Sequence, residues 1–240
     1  MALGTPTALT GDSSTTDATD YDTASITPTA NALVLVTVMS RNDAGSEPTT
    51  PTLSGCNITW VKINESYYFP SGSNRRKVTM FRGLSDSPTS GAITISHGAD
   101  TMDGCLWQVS EITGVSTDGT SGSGAIVQAP TPTTGLGTDS LLSMATLANS
   151  TNLVFGTTVN NNAAITPNTD WNEIAEHSNS TLGIRAQIQY KANDTEFGGT
   201  FASSNWGCIA IEVTSGAGGT GGGGAYYSDE MKNDNVNNWV

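Results

Sequence analysis

Two glutamates, Glu111 and Glu212, are the first residues whose type and placement could do chemistry. They stand in the similar segments Ser110-Glu-Ile-Thr113 and Ile211-Glu-Val-Thr214. A pair of carboxylates is the machinery of glycoside hydrolysis, in which one group protonates the leaving oxygen and the other acts as nucleophile or base. Both glutamates lie late in a predicted strand, where structural glutamates are far commoner. We therefore interpret them as framework residues.

A metal site is the second chemistry that the residue types allow. Asp12, Asp17, Asp20 and Asp22 form an acidic run that could supply oxygen ligands to Ca²⁺, but their order matches no calcium-loop signature. Three cysteines and two histidines are widely separated and form no zinc pattern: Cys56, Cys105, Cys208, His97 and His177. We expect free thiols, a solvated N-terminal arm, no metal and no cofactor.

Motifs of the common enzyme classes are missing from the sequence. It contains no Gly-x-Ser-x-Gly, no His-Glu-x-x-His and no phosphate-binding loop. Four tryptophans could form a sugar-stacking platform, but core packing is the better interpretation: Trp60, Trp107, Trp171 and Trp206. The sequence predicts that the protein is not an enzyme.

Composition indicates strands and limits the partners. Apolar residues make up 36% and charged residues 13% of the 240 residues, against usual values of about 45–50% and about 25%. The net charge of −13 would repel nucleic acid and anionic membranes. No apolar run reaches the roughly 20 residues of a membrane helix, and the first twenty residues do not resemble a secretion signal. We expect no nucleic-acid partner, no membrane partner and no Sec-type export.

The elements that must position these residues are short strands that occur twice. Residues 31–39 form a β-branched run typical of a strand buried on both faces, and strands are predicted over 57–65, 75–82, 92–96 and 104–113. A second pass resembles the first: Leu33 matches Leu153, Trp60 matches Trp171, Phe81 matches Tyr190 and Glu111 matches Glu212. The offset drifts steadily through 120, 111, 109 and 101 residues, as loop shortening after a duplication would produce.

This pattern predicts an all-β fold, an antiparallel jelly-roll-like sandwich built from two diverged halves. The halves are residues 31–114 and 140–214 of a sandwich over 31–214, preceded by an arm and edge strand in residues 1–30. Residues 5–10 and 125–128 are predicted edge strands. One shared core is favoured over two separate sandwiches, because the low apolar content requires it.

The C-terminal end has a different composition. Residues 215–224 are a Gly-rich linker, and residues 225–240 hold apolar groups too few to form a core. We predict that this tail docks on another subunit through Tyr226, Tyr227, Met231 and Trp239. A frayed terminus is the alternative.

The framework resembles structural proteins of tailed bacteriophages and related bacterial β-sandwich domains. The resemblance covers residues 3–214 and rests on segments such as residues 27–36, Val78-Thr-Met-Phe-Arg-Gly83 and Val109-Ser-Glu-Ile-Thr-Gly114. It implies a non-enzymatic virion component, such as a capsid decoration, head-fibre or tail-associated protein. Such a protein would assemble in the bacterial host cytoplasm and contact other virion proteins and further copies of itself.

A carbohydrate-binding or receptor-binding module of a tail protein is the alternative function. In that case Tyr67, Tyr68 and Trp206 should be exposed and should contact the glycan.

Overall fold

A computed structural model describes residues 2–68 and 74–216. These residues form strands and one short 3₁₀ turn, Ser123–Ala125. In chain order the strands are β1 (Thr7–Ser14), β2 (Asp20–Asp22), β3 (Leu33–Asn42), β4 (Thr52–Ser54), β5 (Val61–Tyr68), β6 (Arg75–Gly83), β7 (Thr94–Ser96), β8 (Gly104–Ile112), β9 (Ile126–Gln128), β10 (Thr133–Ser143), β11 (Leu153–Asn160), β12 (Thr166–Pro167), β13 (Asn172–Asn179), β14 (Ile184–Ala192) and β15 (Glu196–Val213).

The strands form three antiparallel sheets. The first large sheet has the order β1-β8-β3-β6-β5, and the second has the order β10-β15-β11-β14-β13, with β9 and β12 also paired to β15. A small sheet, β2-β7-β4, belongs to the first half of the chain. The protein is therefore an all-β sandwich, as its composition predicts.

The two large sheets repeat each other in strand order and in register. Leu33 lies opposite Ile112 in the first sheet, and Leu153 lies opposite Val213 in the second. Each edge pair also has a β-bulge at the same place, between Lys62 and Asn64 in β5 and between Glu173 and Ala175 in β13. A bulge is a local irregularity, so its recurrence at matched positions supports the duplication independently of the sequence.

One sequence match is wrong by a single residue. Arg82 pairs with Val61 just as Tyr190 pairs with Asn172, so the partner of Tyr190 in the first half is Arg82 and not Phe81. A one-residue shift turns every side chain to the other face of a strand. Phe81 accordingly packs on the outer side of its sheet, whereas Tyr190 packs against the core between the sheets.

A shared core joins the two halves. It is built from inward-facing residues of both large sheets, among them Leu35, Met80, Phe155, Ile188 and Ile211. β3 is buried along almost its whole length because it is covered on both faces, as its sequence predicts.

Each half also has an outer core of its own. In the first half, the small β2-β7-β4 sheet covers Val36, Phe81 and Trp107. In the second half, the ends of β10 and β15 fold back over their own sheet, so that Thr133 Oγ1 donates to the Leu141 carbonyl at 2.8 Å. This covering layer buries Leu142, Phe197 and Trp171.

The covering layer of the second half corresponds to the small sheet of the first. β10, β15 and β12 meet there in the order in which β2, β7 and β4 meet. In the first half, β2, β4 and β7 therefore lie in the covering layer, whereas β5 and β6 follow each other within the large sheet. The jelly-roll assignment stays a prediction.

Candidate functional site

Glu111 and Glu212 occupy equivalent positions but belong to different sheets. Glu212 has no exposed surface and accepts three hydrogen bonds, from Gln128 Nε2 at 2.6 Å, Asn152 Nδ2 at 2.6 Å and the Ala148 amide at 2.8 Å. Glu111 accepts hydrogen bonds from the amide and hydroxyl of Thr29 at 2.9 and 3.0 Å. Each carboxylate fixes the segment that leads into the central strand of its half, which supports the framework interpretation.

A second repeated set of carboxylates holds the edge strands. Glu176 on β13 pairs with Arg185 on β14 at 2.5 Å, and the equivalent residues Glu65 and Lys77 lie 3.9 Å apart on β5 and β6. Burial favours a higher pKa for Glu65, but hydrogen bonds from Thr50 and Lys62 outweigh it and the pKa is lowered. These groups stabilise strand pairing.

Ser40 and His97 form the arrangement closest to a nucleophile and its base. The Ser40 hydroxyl lies 2.8 Å from His97 Nε2, and sequence analysis does not reveal the pair because 57 residues separate its members. Their exposed fractions are 0% and 2%. Burial lowers the pKa of His97, against smaller opposing effects from Thr19, Asp20 and Asp100. A substrate has no access to this hydroxyl, and the His97 ring packs edge-to-face against Tyr21 of the first outer core.

The aromatic residues required by the carbohydrate-binding alternative lie in strands, not in loops. Tyr68 is 4% exposed in the shared core, and Trp206 is 9% exposed, with its ring packed across Gly135. An added Cβ at Gly135 would come within 2.7 Å of that ring. Neither residue presents a face to a sugar, which corrects the expectation; Tyr67 is half-buried on β5.

Trp60 and Trp171 each directly precede an edge strand and pack on the outer core of their own half. Trp171 is 8% exposed and contacts Phe197 edge-to-face at 5.3 Å, whereas Trp60 is partly exposed. Trp107 is buried in the first outer core.

The three cysteines are buried free thiols, as expected. Asp12 lies on β1, and Asp20 and Asp22 lie on β2. Within residues 2–68 and 74–216, no three His, Cys, Asp or Glu side chains come together as a metal site would require. The same residues contain no helix long and apolar enough to span a membrane.

A surface cavity of about 730 Å³ lies on the covering layer of the second half. It lies where β10 and β15 fold back, so its walls come from both strands, from β12 and from the loops beside it. Its lining residues are Thr138, Asp139, Ser140, Leu141, Ala164, Thr166, Asn168, Thr200, Phe201 and Ala202. Asp139 lies opposite Thr200, and Thr200 lies opposite Thr166, so these three side chains form one row across the sheet.

One open sheet edge carries the exposed large hydrophobic side chains of the described residues. These are Val127 on β9 and Leu136 and Leu141 on β10, with exposed fractions of 43%, 72% and 45%. Both strands pair with β15 on one side and end the sheet on the other. Natural edge strands are usually protected by charge or proline, yet β10 holds a single charged residue, Asp139.

The predicted docking residues Tyr226, Tyr227, Met231 and Trp239 lie outside the described residues. Comparison of the chain with protein-family models, curated proteins and solved structures gives no match.

Proposed function

We propose that this protein is a non-enzymatic structural component of a phage virion, of the capsid-decoration or head-fibre type, attached through protein–protein contacts. The framework resemblance suggests the particle, and the open edge of β9 and β10 is the observation that supports a role in assembly. Val127, Leu136 and Leu141 lie on these two edge strands, where another chain could both pair with the backbone and cover apolar surface.

The surroundings of the candidate catalytic groups also support a structural role. Glu111 and Glu212 are used to hold loops, and the Ser40–His97 pair is buried. Partners would be other virion proteins and further copies of this chain. The low charge of the open edge suits such contacts, because two chains of net charge −13 repel each other elsewhere.

The experiment measures incorporation of tagged variants into purified particles. Leu136→Lys and Leu141→Lys place charges on the open edge, and we expect each to reduce incorporation. Ala8→Lys is the matched control, because Ala8 is exposed on β1, the corresponding edge strand of the first half. Wild-type incorporation of both β10 variants would reject the edge as an assembly surface.

A truncation tests the tail separately. Removing residues 217–240 should leave the thermal unfolding of the sandwich nearly unchanged, because its last strand, β15, ends at Val213. It should reduce incorporation if the tail anchors the protein. Full incorporation of the truncated chain would remove the anchoring role and leave the open edge as the attachment surface.

A further inference from the structure

We infer that the cavity on the covering layer of the second half binds a neutral oligosaccharide, a role that goes beyond particle assembly and does not depend on it. The inference rests on the row of Asp139, Thr200 and Thr166, on its repetition in the first half, and on the composition of the cavity walls.

The row places three side-chain oxygen groups side by side on one face of a sheet. Directly opposed residues of neighbouring antiparallel strands lie about 5 Å apart, so the row from Asp139 through Thr200 to Thr166 spans about 10 Å. The exposed faces of all three residues open to the cavity. Two hydroxyls and a carboxylate at this spacing can donate to and accept from neighbouring hydroxyls of a sugar ring.

The duplication preserves this row. In the small sheet of the first half, Asp20 lies opposite Ser96 and Ser96 lies opposite Thr52. Those residues stand on β2, β7 and β4, which correspond to the ends of β10, β15 and β12. The offsets of 114 residues from Thr52 to Thr166 and 104 residues from Ser96 to Thr200 fit the steady drift seen along the rest of the chain. The same three side-chain chemistries therefore occur in the same order in both halves.

The row of the second half lines the cavity, and the residues beside it differ from those beside the first-half row. Gly198 stands opposite Leu141 beside the row, where the first half has Thr94 opposite Asp22. A Cβ at Gly198 would lie 1.9 Å from the Ser140 carbonyl oxygen, so the close approach of β10 requires glycine at this position. Leu141, Ala164 and Ala202 supply apolar surface in the cavity wall. Polar groups combined with small apolar patches match the alternating hydroxyl and C–H surfaces of a sugar.

The charge of the walls selects against anionic ligands. The lining contains no lysine, arginine or histidine, and Asp139 is its single ionisable residue. An anionic sugar or phosphate would find no counter-charge and would be repelled by the carboxylate. A neutral, hydroxyl-rich ligand fits both the hydrogen-bonding groups and the charge.

The test titrates the full chain with maltohexaose, cellohexaose, chitohexaose and mannohexaose, and with polygalacturonate as the anionic comparison. Two-dimensional NMR of the wild-type protein reports the site directly. We expect at least one neutral hexamer to shift the amide signals of Asp139, Thr166 and Thr200, and polygalacturonate to shift none of them. Failure of every neutral hexamer to shift these signals at about 10 mM would overturn the inference.

Calorimetry on matched variants then tests the row. Thr200→Val and Thr166→Val remove a hydroxyl with little change of shape, and each should weaken binding roughly threefold to tenfold, the value of one hydrogen bond. Thr52→Val is the control in the equivalent row of the first half. Equal losses in Thr52→Val and Thr166→Val, or none in Thr200→Val, would overturn the assignment. Because particle incorporation is measured separately, failure here leaves the assembly role intact.

Discussion

Glu212 carries three hydrogen bonds on a side chain that has no exposed surface, and its loss should be costly. In Glu212→Gln, an NH₂ group replaces one of the two acceptor oxygens. At least one of the donors from Gln128, Asn152 and Ala148 therefore loses its acceptor. We expect a loss of about 3 kcal/mol in the free energy of unfolding. Urea denaturation followed by circular dichroism measures it.

Glu111→Gln is the matched control for that prediction. Its carboxylate accepts two hydrogen bonds, both from Thr29, in a partly exposed setting. Its substitution should cost about 1 kcal/mol. Similar losses of stability in the two variants would contradict the prediction that the buried carboxylate of Glu212 contributes more than the partly exposed one of Glu111.

His97 should make stability depend on pH. Burial lowers its pKa in the folded protein below the ordinary value of 6.5, so the unfolded chain binds the proton more readily. The contribution of neutral His97 is therefore fully present above pH 6.5 and is lost as the pH falls below that value towards the folded-state pKa.

Urea titrations between about pH 7 and about pH 5.5 test this prediction. The wild-type protein should lose stability over this range, and His97→Gln should lose less. His177, whose pKa burial also lowers, remains in that variant and accounts for part of the residual slope. An unchanged slope in His97→Gln would show that the histidine is already protonated or solvent-exposed.

At the scale of the elements, the two matched tryptophans should contribute unequally. Trp171 is buried against Phe197, whereas Trp60 is partly exposed. Trp171→Ala should destabilise by about 4 kcal/mol, the usual cost of removing a buried aromatic side chain, and Trp60→Ala by about half as much. Chemical denaturation monitored by circular dichroism compares the two variants. A larger loss of stability in Trp60→Ala than in Trp171→Ala would contradict the prediction.

The sequence predicts the large sheets better than the layers that cover them. The buried run of β3 and the paired tryptophans reveal the duplication, because a strong local hydrophobic pattern can be recognised without knowing which strands pair. β2 and β4 have three residues each and were not predicted, since their pairing with β7 depends on contacts far along the chain. The match of Phe81 with Tyr190 fails because similar residue types occur on both faces of β6 and β14.

The candidate sites were less accessible to sequence reasoning for the same reason. Nothing in the order of residues shows that Asp139, Thr200 and Thr166 share a row or that Ser40 meets His97. The burial of Tyr68 and Trp206 also could not be read from aromatic composition, because either residue type suits both a core and a binding surface.

For the molecule as a whole, we predict that neither half folds alone. The core between the large sheets takes Leu35 and Met80 from one half and Phe155 and Ile211 from the other, so separation exposes an entire sheet face. Residues 1–122 and 123–216 expressed separately should lack dispersed NMR signals, and mixing them should restore the spectrum. A dispersed spectrum from either fragment by itself would contradict the prediction.

The covering layers of the two halves should differ in how readily they open, because the strands of the second half fold back without a break. β15 runs without interruption from the covering layer into the large sheet, whereas β7 and β8 are separate strands joined by residues 97–103. Amide protons of the β2-β7-β4 sheet should therefore exchange with solvent through a local opening that leaves the first large sheet closed. The amide protons of residues 196–200 and 139–143 should exchange together with those of the rest of β15. The first half should therefore unfold in two steps and the second half in one.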